Sequence, residues 1–240
     1  MSDLPRAILF DLDDTLIWFG SRKQLAIDVA AEFEEFICPL TPAEVGEVVE
    51  QANRDFWAEE GWNPEWRFRL LEARTLIVEL AFASLCSRAP GLTSTVARSY
   101  AERFQMLRDV PGGLFPNAVE TLDILRSKGI LLALITNGEA KIQREKVIRF
   151  DLERRFDHIQ IEGEIGFGKP SDQAYHHPMN VLGVSPHEAW MVGDNLEWEV
   201  AAPQRLGIYS IWNDHLGEGL PPDTKVKPDR IIRSVAELAS

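Results

Sequence analysis

Three short apolar runs limit what this chain can fold into more than any other feature. Ala7-Ile8-Leu9-Phe10 runs into Asp11, Ile130-Leu131-Leu132-Ala133-Leu134-Ile135 runs into Thr136, and Ala189-Trp190-Met191-Val192 runs into Gly193-Asp194. None alternates apolar with polar residues. Short unalternating runs that stop at turn residues suit strands buried on both faces, as in a parallel sheet covered by helices. Gly207-Ile208-Tyr209-Ser210-Ile211-Trp212 reads as a later strand and Phe156-Asp157-His158-Ile159 as a weaker one.

Helical patterns lie between the runs. Asn117 is expected to cap a helix, with Glu120 three residues on and Val119, Leu122 and Leu125 on one face before Gly129. A second short helix is expected from Glu197 to Leu206, interrupted or shortened by Pro203 and stopped near Gly207. Strand and helix in alternation predict an α/β fold with a doubly wound, Rossmann-like parallel sheet. The stretch from Asp11 to Thr136 breaks the rhythm, since a crossover needs only about a dozen residues or somewhat more. Its excess reads as helices. Leu25, Val29, Phe33 and Phe36 mark one face, and Val45, Val48, Val49, Ala52 and Phe56 mark another. Trp66 to Arg88 and Thr93 to Leu107 form two more, with Pro39, Pro42, Gly61-Trp62-Asn63-Pro64 and Pro90-Gly91 as punctuation. The expected organisation is a core from 1–17 and 113–240 with an all-helical insertion at 18–112.

Composition narrows the functional classes. With 25 basic and 38 acidic residues among 240, the formal net charge is −13. That balance disfavours a nucleic-acid polymer or an anionic membrane as partner, because both require basic surface. No stretch approaches about 18 uninterrupted apolar residues, so no membrane span is expected. The first residues carry no signal-peptide pattern, and a cytoplasmic location is expected. Cys38 and Cys86 are too few for a disulfide framework or a thiolate zinc site and read as small buried hydrophobes.

In an open α/β sheet, ligands bind beyond the carboxyl ends of the strands. Parallel strands would therefore bring together Asp11 and Asp13, Thr136 and Asn137, and Asp194. Carboxylates so gathered repel each other unless a cation joins them, and Mg²⁺ accepts one or two carboxylates together with phosphate and water. A carboxylate can attack phosphorus, a second carboxyl can protonate the leaving oxygen, and a hydroxyl and a lysine can hold the phosphoryl oxygens. Thr136 and Lys169 fit the last two parts.

These residues carry a resemblance. Phe10-Asp11-Leu12-Asp13-Asp14-Thr15-Leu16 resembles the first motif of the haloacid dehalogenase-like superfamily in its phosphatase form. Ile135-Thr136-Asn137-Gly138, Gly168-Lys169-Pro170 and Val192-Gly193-Asp194-Asn195 resemble the second, third and fourth. The ending Pro228-Asp229-Arg230-Ile231-Ile232 and Ser234-Val235-Ala236-Glu237-Leu238 is similar to the family's last strand and helix. The resemblance implies Asp11 as nucleophile and Mg²⁺ ligand, with Asp13 as general acid/base whose carbonyl also binds the metal. It implies Thr136 and the amides near Asn137 as phosphoryl holders, Lys169 as stabiliser and Asp194 as metal ligand. It further implies that 18–112 is a cap domain that selects the substrate.

The implied function is a Mg²⁺-dependent phosphohydrolase acting on a small phosphorylated metabolite through an aspartyl phosphate. A phosphomutase or a non-enzymatic regulator are the alternatives. Asp13 disfavours the dehalogenase outcome, because a halide leaving group needs no proton whereas an alkoxide does. Oligomeric state is left open by the sequence.

Two departures stand out. The family's fourth motif carries a second aspartate five residues after the first, and here Trp198 and Glu199 occupy that region. Glu199 can still reach a metal-bound water or Lys169. After Lys169, Pro178 is expected to kink a helix or confine it to its first turn. Asp14 reads as a turn residue, and His176 and His177 as structural. Trp57, Trp62 and Trp66 read first as packing residues of the insertion, and Trp18 and Phe19 as candidates for a pocket mouth.

Overall fold

The computed structural model describes residues 4–60, 65–108, 110 and 112–239. Contacts divide the chain into two compact units, Met1–Trp18 with Gly113–Ser240, and Phe19–Gly112.

The first unit is built on six parallel strands. They are β1 (Ala7–Phe10), β4 (Leu131–Thr136), β5 (His158–Ile161), β6 (Ala189–Gly193), β7 (Tyr209–Asn213) and β8 (Arg230–Ile232). A separate antiparallel pair joins β2 (Ile17–Trp18) to β3 (Gly113–Leu114). The large sheet runs β5-β4-β1-β6-β7-β8. Among the sheet's own strands this is the order 3-2-1-4-5-6, the doubly wound arrangement. Its middle strands lack alternation because both faces are covered. Ala7, Leu9, Ala133, Ile135, Ala189 and Met191 join one core with Tyr175, Met179 and Ile208. Ile8, Phe10, Leu132, Leu134 and Val192 point the other way and are equally buried.

Helix α7 (Ala118–Ser127) lies against β4, and Leu122 and Leu125 are buried as the periodicity predicts. Asn117 sits at its start in the left-handed conformation (φ 61°) and makes no side-chain cap. Instead the Thr121 hydroxyl donates to the Asn117 carbonyl at 2.8 Å. The expected strand at 156–159 is observed two residues later, with Phe156 packed edge-on against Phe10 at 6.2 Å. Helix α8 (Ala140–Arg149) follows β4, and α9 (Glu162–Ile165) follows β5. Helix α10 (Asp172–Leu182) continues through Pro178, so the proline does not confine it to its first turn. A proline cannot donate to the carbonyl four residues back. That carbonyl, of Ala174, instead accepts from Gln160 Nε2 at 2.9 Å, while Gln160 Oε1 meets His177 Nδ1 at 2.9 Å.

The second unit is helical. It comprises α1 (Arg22–Glu32), α2 (Glu34–Ile37), α3 (Pro42–Glu60), α4 (Glu65–Phe68), α5 (Leu70–Leu85) and α6 (Ser94–Arg108). Two of the continuous helices expected from periodicity are broken, one at Phe33 (φ −109°, ψ 23°) and one at Arg69 (φ −127°, ψ 46°). The core gathers Val29, Val45, Val49, Phe82, Leu85 and Tyr100. The Tyr100 hydroxyl donates to the Ala26 carbonyl at 2.5 Å, so its polar end is satisfied inside that core. Phe56 packs edge-on with Trp57 and Trp66 at 5.3 and 5.6 Å, and the Arg108 guanidinium lies over the Phe19 ring at 4.5 Å. Trp62 lies outside the described residues. Cys38 and Cys86 are exposed, contrary to the buried reading, because each stands at the C-terminal end of a helix. No helix among the described residues is long and apolar enough to cross a membrane.

Helices α1 and α3 cross closely at Gly46. A Cβ there would stand 2.8 Å from the Ile27 backbone nitrogen and 2.9 Å from its Cα. Alanine favours helix over glycine by about 1 kcal/mol, but crowding a packed interface costs about 1–3 kcal/mol. Because the obstacle is backbone, the steric term wins. Gly46→Ala is expected to lower stability in urea denaturation; an increase would show that α1 yields more easily than this packing implies.

Candidate active site

The strand order determines where the site lies. On one side of β1 the order runs to β4 and β5, and on the other to β6, β7 and β8. The crevice at such a reversal opens beyond the carboxyl end of β1. Asp11 occupies that position, and its backbone N–H donates to the Val192 carbonyl at 2.9 Å. Phe10 pairs in register with Val192, so Asp11 lies beside Gly193 with Asp194 one residue further along. On the other side Phe10 pairs with Leu134, which sets Thr136 at the same edge.

After Asp11 the chain folds back on itself. The Leu16 and Ile17 N–H groups both donate to the Leu12 carbonyl at 2.9 Å. Asp14 takes the left-handed conformation at φ 57° and donates to the Ile17 carbonyl at 2.8 Å. This turn carries Asp13 back toward α8. Thr15 is fully buried, and its hydroxyl has no protein partner among the described residues.

Lys169 is 1% exposed and bridges two carboxylates. Its Nζ lies 2.5 Å from Asp11 Oδ1 and 2.7 Å from Glu199 Oε1. Burial alone would lower the ammonium's pKa, but Asp11 and Glu199 outweigh it and hold Lys169 above the usual lysine range. Burial pushes the Asp11 carboxyl up, Lys169 offsets this only in part, and the charge of Asp13 adds to the rise. Glu199 is pushed up to about 7 by burial, against the pull of Lys169 and with a contribution from Asp11.

Asn137 holds the backbone of Lys169. Its Nδ2 donates to the Lys169 carbonyl at 2.7 Å, and its Oδ1 accepts the Lys169 N–H at 2.8 Å. The Asn137 side chain therefore fixes the lysine loop. Asn195 caps the next turn, with Oδ1 accepting from the N–H groups of Glu197 and Trp198 at 3.0 Å. That turn, Leu196–Ala201, is π-helical, and α11 (Ala202–Arg205) follows with Pro203 in its first turn.

Glu199 points back under the turn, and its Oε2 accepts the Asn195 N–H at 2.8 Å. Asp194 directs its main-chain carbonyl to Trp212 Nε1 at 2.7 Å. Trp18 is exposed, and His176 and His177 lie on α10.

Three residues that the motifs do not announce belong to this neighbourhood. Lys146 Nζ lies 2.7 Å from Asp13 Oδ2. Gln143 Nε2 lies 3.1 Å from the same oxygen and 2.5 Å from Thr136 Oγ1. Glu162 is buried and accepts the Gly138 N–H at 3.0 Å. The sequence signal for the first two is helical spacing, since positions three apart share a helix face.

The glutamate in place of aspartate depends on Gly193. A Cβ on Gly193 would stand 2.0 Å from Glu199 Cγ and 2.7 Å from Glu199 Cβ. Gly193→Ala is expected to cost about 1–3 kcal/mol. Glu199→Ala should relieve the closest clash, so the double variant should be more stable than the two single losses predict. Additive losses in a double-mutant denaturation cycle would show that the two positions do not compete for space.

The chain matches the haloacid dehalogenase-like hydrolases over residues 5–207. It is 37% identical to phosphoserine phosphatase of Thermus thermophilus over 59% of this chain and 56% of that protein, little more than half of its length. It is 27% identical to glyceraldehyde 3-phosphate phosphatase of Methanothermobacter thermautotrophicus over 86% of this chain and 84% of that protein. Among solved structures, the magnesium-bound HAD-hydrolase YfnB of Bacillus subtilis shares the fold with a TM-score of 0.70 at 22% identity, over 98% of this chain and 97% of its own. Family match, sheet order and the convergence of four motif segments agree, and the chain belongs to the haloacid dehalogenase-like hydrolases.

Proposed function

We propose that this chain is a Mg²⁺-dependent phosphatase that cleaves a small phosphorylated metabolite through a phosphoryl group carried on Asp11. The observation that supports this most is the pairing at the sheet's reversal point. The nearly buried Asp11 carboxyl lies 2.5 Å from the buried Lys169 Nζ, with a second aspartate two residues on. The relatives' names as phosphatases support the same class of reaction.

In this reading Asp11 Oδ attacks phosphorus, and the bond to the leaving oxygen breaks. Asp13 gives that oxygen a proton. Thr136 and the backbone amides near Asn137 hold the phosphoryl oxygens, and Lys169 balances their charge against Asp11. Water then attacks the phosphoryl group, Asp13 takes its proton, and the Asp11 carboxylate is restored. Asp13 favours this outcome over dehalogenation, because a halide leaves without a proton.

The residues present fit a magnesium ion. Among the described residues no three His, Cys, Asp or Glu side chains gather into a metal cluster. The Asp13 carboxylate is instead engaged by Gln143 and Lys146. The carboxylates of Asp11 and Asp194 and the main-chain carbonyl of Asp13 make an all-oxygen set that suits a hard cation completed by phosphate and water. When bound, Mg²⁺ offsets the repulsion between an anionic nucleophile and an anionic phosphoryl group. Magnesium in the structure of YfnB supports this assignment. On this reading the helical unit is the cap, and the choice of substrate rests with it.

The test is hydrolysis of p-nitrophenyl phosphate with Mg²⁺, with EDTA and with Asp11→Asn. Turnover should require the metal and fall by at least about 1,000-fold in the variant. Wild-type activity in Asp11→Asn would overturn the mechanism.

A further inference from the structure

Helix α8 carries a buried glutamine. Gln143 is 3% exposed on a helix where Val147 is the other fully buried residue. A buried polar side chain carries more information than an exposed apolar one. Lys146, three positions on, shares its face.

Hydrogen-bond chemistry fixes the direction of each contact. A carboxylate accepts and cannot donate, so the Gln143 amide nitrogen must face Asp13. That nitrogen has two protons and cannot accept. One proton goes to Asp13 Oδ2 at 3.1 Å and the other to Thr136 Oγ1 at 2.5 Å. Thr136 is therefore an acceptor toward Gln143, and its own hydroxyl proton must point elsewhere. At the same time Asp13 Oδ2 accepts from Lys146 Nζ at 2.7 Å. Asp13 Oδ1 is buried without a hydrogen-bond partner among the described residues. Two N–H donors from α8 thus anchor the Asp13 carboxyl through Oδ2, while the side chain as a whole is 35% exposed.

We propose that Gln143 and Lys146 are positioning residues that anchor the Asp13 carboxyl and set the direction of the Thr136 hydroxyl proton. Oδ2 is the anchored oxygen. Gln143 also turns the Thr136 hydroxyl so that it donates to a phosphoryl oxygen. Lys146 acts on Asp13, whereas Gln143 acts on both Asp13 and Thr136. The inference rests on the phosphatase reading.

The two roles separate by leaving group. An alkyl phosphate needs a proton on its leaving oxygen, whereas 2,4-dinitrophenyl phosphate does not. The experiment is pre-steady-state phosphoryl transfer with Mg²⁺ on both substrates, using wild type, Lys146→Met, Lys146→Arg and Gln143→Leu, with folding checked by circular dichroism. Lys146→Met should slow the first turnover of an alkyl phosphate by at least about tenfold, part of the range general acid catalysis supplies. It should leave the first dinitrophenolate release within about twofold of wild type, followed by slower steady turnover. Lys146→Arg should restore most of the alkyl rate. Gln143→Leu should slow the first turnover of both substrates, because Thr136 serves both.

Equal slowing of both substrates by Lys146→Met, or no slowing in a folded variant, would overturn the positioning role while leaving the phosphatase reading intact. A wild-type chain without turnover on either substrate would overturn both together.

Discussion

The Lys169 ammonium is the interaction on which the rest of this site depends. A buried cation is tolerable only when paired and hydrogen-bonded. Here two carboxylates from distant parts of the chain converge on it, one just past β1 and one in the turn after β6. Each brings its own requirements. Asp11 needs the backbone register that ties it to Val192, and Glu199 needs a turn that directs its carboxylate back beneath itself. Lys169 in turn needs a loop held to the neighbouring strand end, which the two Asn137 hydrogen bonds provide. Three acidic side chains, Asp11, Glu199 and Asp194, thus gather at an edge where Lys169 is the bridging cation. A divalent cation complements that acidity, which is the electrostatic basis of the magnesium ion we propose.

The sheet order makes this convergence possible. Asp11, Thr136 and Asp194 are far apart in sequence, yet they close three strands that are immediate neighbours. A parallel sheet aligns carboxyl ends on one edge, so three unrelated loops open onto the same space. Side chains placed at strand ends are held by the ladder itself, which is more precise than a free loop.

The same logic explains what could be read from the sequence. The runs ending at Asp11, Thr136 and Asp194 are strands within a residue of the expected positions, because burial on both faces leaves an unmistakable unalternating pattern. The residues that were not legible depend on partners that a one-dimensional pattern omits. Gln143 and Lys146 look like solvated helix residues until Asp13 folds back to meet them. Pro178 does not end its helix because Gln160 satisfies the carbonyl that the proline leaves without its usual donor. Asn117 reads as a cap, yet its left-handed backbone leaves the capping geometry unformed. Phe33 and Arg69 lie within apolar patterns that continue across them, so periodicity alone cannot detect the breaks.

Glu199 illustrates how a departure from a motif can be absorbed locally. An additional methylene lengthens the side chain, so the carboxylate reaches Lys169 only if its stem has space beside the preceding strand. Gly193 supplies that space, because the region where a Cβ would stand is filled by Glu199 Cγ. The Asn195 N–H then anchors the second carboxylate oxygen, and the π-helical turn from Leu196 to Ala201 sets the backbone from which the side chain returns. Strand end, turn geometry and side-chain length are thus matched to each other. An aspartate on the same backbone would be shorter by one carbon than the span that Glu199 bridges between Lys169 and Asn195. The substitution is therefore one part of a local solution in which the absence of a side chain at Gly193 is as necessary as the length of the one at Glu199.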